Sequence, residues 1–121
     1  MFDRFRAGRA ASGGEQLSVA QASVDVKEAL ALQGQGAQLV DVREPAEFNG
    51  GHAPGAKNIP LGNLLVRKGE LDADKTVLVI CQSGGRSATG QKQLLREAFT
   101  DVRNVRGGTA AWKEAGLPLE R

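Results

Sequence analysis

Short apolar runs along this chain alternate with polar stretches that carry glycine, and the runs switch between a strand-like and a helix-like period. Gln16–Val19 has the pattern of a short first strand. Ser23 or Asp25 is placed to cap a helix that carries Val26, Ala29 and Leu30 on one face, with Gly34 or Gly36 to end it. Gln38–Val42 forms a continuous apolar strand. Lys57–Ile59 is a shorter one, followed by a helical turn around Leu61–Val66. Lys75–Ile80, rich in β-branched residues, predicts the next strand, and Ala88, Leu94, Leu95 and Ala98 mark the buried stripe of the helix after it. Asp101–Val105 is a last strand, and Thr109–Ala115 a last helix stopped by Gly116 and Pro118. Strands alternating with helices imply an α/β fold with a parallel sheet covered on both faces. Residues 1–15 lack apolar periodicity and predict a flexible N-terminal tail, leaving residues 16–121 as the folded domain.

Composition narrows the class. The 121 residues fit one compact unit, with 40% apolar and 25% charged residues, as in ordinary soluble domains. No internal repeat suggests a tandem form. A lone cysteine excludes an internal disulfide and suits a reducing compartment. No apolar run reaches the length of a membrane span, and the N-terminus lacks a signal-type apolar core, so a cytoplasmic location is expected, without membrane partners. The isoelectric point of about 9.0 comes from the tail, where Arg4, Arg6 and Arg9 face only Asp3. The remainder holds 13 basic and 13 acidic residues. A formally neutral body offers no nucleic-acid footprint. It shows no evident apolar patch, so a monomer is expected.

Candidate chemistry centres on Cys81-Gln82-Ser83-Gly84-Gly85-Arg86-Ser87. The strand before it would place the thiol at its carboxyl end, where open α/β sheets bind ligands. Gly84 and Gly85 allow a tight turn whose N–H groups converge above the sulfur. The helix that follows adds its positive end, and Arg86 adds a fixed cation. These surroundings stabilise a thiolate, the nucleophilic form of cysteine, and would hold an anion near it. Other candidates read as structural. Asp41 and Arg43 at a strand end predict a salt bridge that pins loops. His52 lies in a turn rich in Gly and Pro and is not expected to act as a base. Trp112 is expected to anchor the core. One Cys and one His provide no metal-ligand cluster, and the loop lacks the features of a nucleotide-binding turn, so no metal or cofactor is expected.

The cysteine loop resembles the active-site loop of the rhodanese-like domains. Three more segments resemble motifs of that family: Leu39–Phe48, Gly51–Pro60 and Gly107–Pro118. Together the likeness runs from about Gln16 to the end, with Ala53 standing where the family more often has a larger aliphatic residue. The resemblance implies a three-layer α/β/α fold with a five-stranded parallel sheet. It implies ping-pong sulfur transfer through a persulfide on Cys81, from thiosulfate or a similar anionic donor to cyanide or a thiol, with a protein as a possible acceptor. Backbone N–H groups of residues 82–86 would cradle the sulfur and Arg86 would hold the anion, while Gln82 and Ser83 would tune acceptor choice at the rim. The C-x4-R spacing resembles the sulfurtransferase members; the related phosphatases and arsenate reductases have a loop one residue longer. A persulfide carrier or a regulatory binding module acting with a partner protein is the alternative within the family.

Overall fold

In the computed structural model, which describes residues 22–121, the apolar run Val77–Ile80 forms a strand buried at every position. In chain order the elements are β1 (Ser23–Val24), α1 (Val26–Gly34), β2 (Gln38–Asp41), α2 (Pro45–Asn49), β3 (Lys57–Asn58), β4 (Val77–Ile80), α3 (Gly85–Leu95), β5 (Val102–Val105) and α4 (Gly108–Glu114), with 3₁₀ turns at Leu61–Asn63 and Lys68–Glu70. The five strands make one sheet in the order β1-β5-β4-β2-β3, and every pairing is parallel. Parallel strands need crossovers, and the crossovers cover both faces, so the central strand has no polar side to show. Successive residues of β4 therefore serve two cores. Val77, Val79 and Cys81 point into one with Leu64, Leu94 and Phe99. Leu78 and Ile80 point into the other with Val26 and Ala29 of α1 and Trp112 of α4. Trp112 is fully buried, and its indole N–H donates to the Pro118 carbonyl at 2.7 Å. No helix among the described residues is long and apolar enough to cross a membrane.

Several expectations shift. The tail expected over residues 1–15 and the strand expected over Gln16–Val19 lie outside the described residues; within them the strand at the β5 edge is Ser23–Val24. Ser23 therefore pairs with Asn104, and Asp25 caps α1, its carboxylate accepting from the Glu28 N–H at 2.8 Å. Leu30 is 39% exposed; Leu32 packs against the core instead, because it follows Ala29 on the turn that faces the sheet. Ala98 also fails as a core residue. The helix stops at Leu95, Ala98 takes a positive φ of 67°, and that reversal delivers Phe99 into the core. The helix α2 was not foreseen. Pro45 opens it, and the Glu47 carboxylate accepts from the Glu44 N–H at 3.1 Å.

Candidate active site

Cys81 follows β4 directly, at the carboxyl edge of the sheet beside the neighbouring strands β2 and β5. The chain then turns through Gly84, whose φ of +112° suits glycine, and enters α3. This turn brings the Gly84 N–H to 3.1 Å from the Cys81 sulfur, and the first turn of α3 brings the Ser87 hydroxyl to 3.3 Å. The residue is only 1% exposed. Burial pushes the thiol pKa up, yet the Ser87 hydroxyl and the N–H groups of Ser87, Gly84 and Ser83 more than offset it, so the net direction is downward.

Behind the sulfur lies a polar relay. Ser87 Oγ stands 2.6 Å from Asn104 Oδ1, and Asn104 Nδ2 donates to the Gly84 carbonyl. A hydroxyl has one proton, so Ser87 either donates it to Asn104 and accepts from the thiol or donates it to the thiolate. Ser87→Ala should therefore raise the thiol pKa and slow iodoacetamide alkylation at pH 7 by about tenfold, the worth of one hydrogen bond to a charged group. Alkylation rate against pH checks this; an unmoved profile would refute it.

Helix α4 fixes the loop from the other side. The N–H and hydroxyl of Thr109 both donate to the Cys81 carbonyl, at 2.8 and 3.1 Å, and the Ala110 N–H donates to the Gln82 carbonyl at 3.0 Å. The approach needs glycine at position 108, where φ is +59° and a Cβ would stand 2.4 Å from the Cys81 carbonyl oxygen.

Two guanidinium groups beside the cysteine loop, those of Arg43 and Arg86, are already engaged. Arg86 forms a two-pronged pair with Glu47, Nη1–Oε1 at 2.7 Å and Nη2–Oε2 at 2.9 Å. This hydrogen-bonded cation holds the Glu47 carboxyl down at about 2, against burial, and the carboxylate raises the Arg86 pKa in turn. Arg86, expected to hold an anion, is thus paired in this structure: α2 supplies its counter-ion. The expected Asp41–Arg43 bridge is present and buried, with Arg43 Nε and Nη2 donating to the Asp41 carboxylate at 3.0 and 2.9 Å. Arg43 also donates to the Gly51 carbonyl at 2.9 Å and to Gln82 Oε1 at 3.3 Å, tying the loop after β2 to the cysteine loop. His52 is structural in form: its ring stacks on Phe48 with centroids 3.7 Å apart, and its Nδ1 lies 2.8 Å from the Phe48 carbonyl oxygen.

Of the predicted site residues, Gln82, Ser83 and Gly85 are exposed at the rim and Gly84 is half-buried. A cleft of about 280 Å³ opens beside Gln82, lined among others by Arg43, Glu47, Thr109 and Lys113. Sequence reasoning missed Glu47, Asn104 and Thr109. It quoted Ser87 within the loop without giving it a role, although its position one turn into the helix after the glycines was a usable signal. Asn104 reaches Ser87 and the Gly84 carbonyl only because β5 lies beside β4, with Val79 opposite Asn104.

A parallel three-layer α/β domain with one thiol cradled at the carboxyl edge of its central strand defines the class. The rhodanese-like domain model matches residues 25–115, and the chain belongs to that family. It is 38% identical over 110 residues to thiosulfate sulfurtransferase 16, chloroplastic, of Arabidopsis thaliana, covering 81% of this chain and 90% of that protein. An uncharacterized protein of Bacillus subtilis is 47% identical over 76 residues, covering 63% of this chain and 60% of that protein's length. The crystal structure of a rhodanese-related protein from Thermoplasma volcanium superposes with a TM-score of 0.74 at 31% identity, over 82% of this chain and 97% of that one.

Proposed function

We propose that the protein is a sulfurtransferase that passes sulfane sulfur through a persulfide on Cys81. The observation that carries this reading is the thiol itself, at a strand end, held by the Gly84 N–H and the Ser87 hydroxyl and pushed toward its thiolate by them. With thiosulfate as donor, the thiolate attacks the outer sulfur, the S–S bond breaks, and sulfite leaves with the bonding pair. A nucleophilic acceptor such as cyanide or a thiol then attacks the outer persulfide sulfur and regenerates the thiolate. The N–H groups of residues 82–86 stabilise the negative terminal sulfur. Gln82 and Ser83 stand at the rim where an acceptor enters. We place the reaction in a reducing compartment such as the cytoplasm, where the thiol stays free.

A second reading is favoured by the pairing of both guanidinium groups. With Arg86 and Arg43 already paired, the cysteine loop offers a dianion only cations shared with carboxylates, and the protein acts as a persulfide carrier loaded by a partner. One experiment separates the two: intact mass after incubation with thiosulfate, followed by thiocyanate release on adding cyanide. The expected result is a gain of one sulfur atom, blocked by prior alkylation of Cys81, with turnover to thiocyanate. A gain without turnover supports the carrier. No gain with thiosulfate or with a persulfide donor overturns the persulfide reading.

A further inference from the structure

We propose that Glu47 sets the charge of the sulfur donor Cys81 accepts, disfavouring dianions and favouring uncharged persulfide sulfur. The substrate class rests on the sulfur-transfer reading above; the electrostatic role of Glu47 does not. Glu47 comes from α2, a different segment from the cysteine loop, and both its oxygens engage Arg86, the cation at the start of α3. The second guanidinium of the region, Arg43, is compensated by buried Asp41. Glu47 also lines the cleft that opens beside Gln82, the residue that follows Cys81.

A dianionic donor must then either pull Arg86 away from Glu47 or bring two negative charges alongside that carboxylate. Both cost binding. A persulfide R–S–SH meets no such opposition. The Cys81 thiolate attacks its outer sulfur, the S–S bond breaks, and the thiolate RS⁻ leaves with the bonding pair, so Cys81 ends as a persulfide and the charge is conserved. Lys113 and Arg121 line the same cleft, and they stay constant in the comparison that follows.

Glu47→Gln removes the charge while keeping an oxygen for the Glu44 N–H that starts α2. The readout is the ratio of Cys81 alkylation rates with iodoacetate, an anion, and iodoacetamide, its neutral analogue. The thiolate fraction cancels in that ratio, which leaves the local field. Glu47→Gln in the full chain should raise the ratio about tenfold, equivalent to ~1.4 kcal/mol, and lower the thiosulfate KM by at least as much. Glu47→Asp, which keeps the charge, should leave the ratio near that of the parent. An unchanged ratio in a folded Glu47→Gln protein overturns the proposal, whatever happens to sulfur transfer. A raised ratio in a protein that takes up no sulfur from any donor upholds the role of Glu47 and sinks the sulfur-transfer reading instead.

Discussion

Cys81→Ser is expected to lose sulfur transfer by about 10⁴-fold or more, with intact mass unchanged after donor treatment. The hydroxyl has nearly the shape of the thiol, and the Gly84 N–H and the Ser87 hydroxyl remain to bond it, so the fold has little reason to change. What disappears is the ionisable sulfur. A serine hydroxyl does not ionise near neutral pH without a base. Among the described residues no base hydrogen-bonds the sulfur, and His52 is committed to the Phe48 carbonyl and its ring stack. Thiocyanate formation and a thermal melt read the two halves of this expectation. Residual turnover within about a hundredfold of the parent would mean that sulfur does not pass through Cys81.

Gly108→Ala should be the most damaging single methyl in the domain. Its Cβ would stand 2.4 Å from the Cys81 carbonyl oxygen and 2.7 Å from the Gln82 carbonyl carbon, both backbone atoms that cannot swing aside, at a φ of +59°. Left-handed strain of about 1 kcal/mol and overpacking of about 2 kcal/mol give ~3 kcal/mol, or a melting temperature lower by on the order of 10 °C. Relieving the clash must push α4 from the loop and break the Thr109 and Ala110 hydrogen bonds, so activity should fall further than stability alone explains. Gly116→Ala is the control. Gly116 also has a positive φ, of +74°, but its Cβ would meet nothing within 4 Å, so only the strain of about 1 kcal/mol should appear. Equal losses in the two variants would show that close approach at position 108 does not matter.

The sheet was legible because its central strands carry unbroken apolar runs. Gln38–Val42 and Lys75–Ile80 predicted β2 and β4 to within two residues, and the order of motifs supplied the family. The carboxyl-edge thiol and its glycine turn followed from the sequence for the same reason: strand, thiol and turn are contiguous. What stayed hidden is what the fold assembles from separate segments. Leu30 and Ala98 fit the apolar pattern as well as Ala29 and Leu94 do, and only the end of each helix and the angle at which it meets the sheet decide which are covered. The Arg86 partner lies 39 residues away, on a helix whose five residues leave too short a stretch for periodicity to detect. Asn104 needed the strand order, which no local pattern encodes.

The depth of Cys81 has a consequence for the timing of its exposure. Cys81 is almost wholly covered, so in its resting form the sulfur presents little surface, and a donor must bring its own outer sulfur in to meet it. A persulfide adds an atom about 2 Å beyond the first sulfur. In the proposed cycle the cargo sulfur is thus displayed while the sulfur that anchors it stays hidden. Loading moves the reactive sulfur outward by one bond, and unloading returns the site to a covered thiolate.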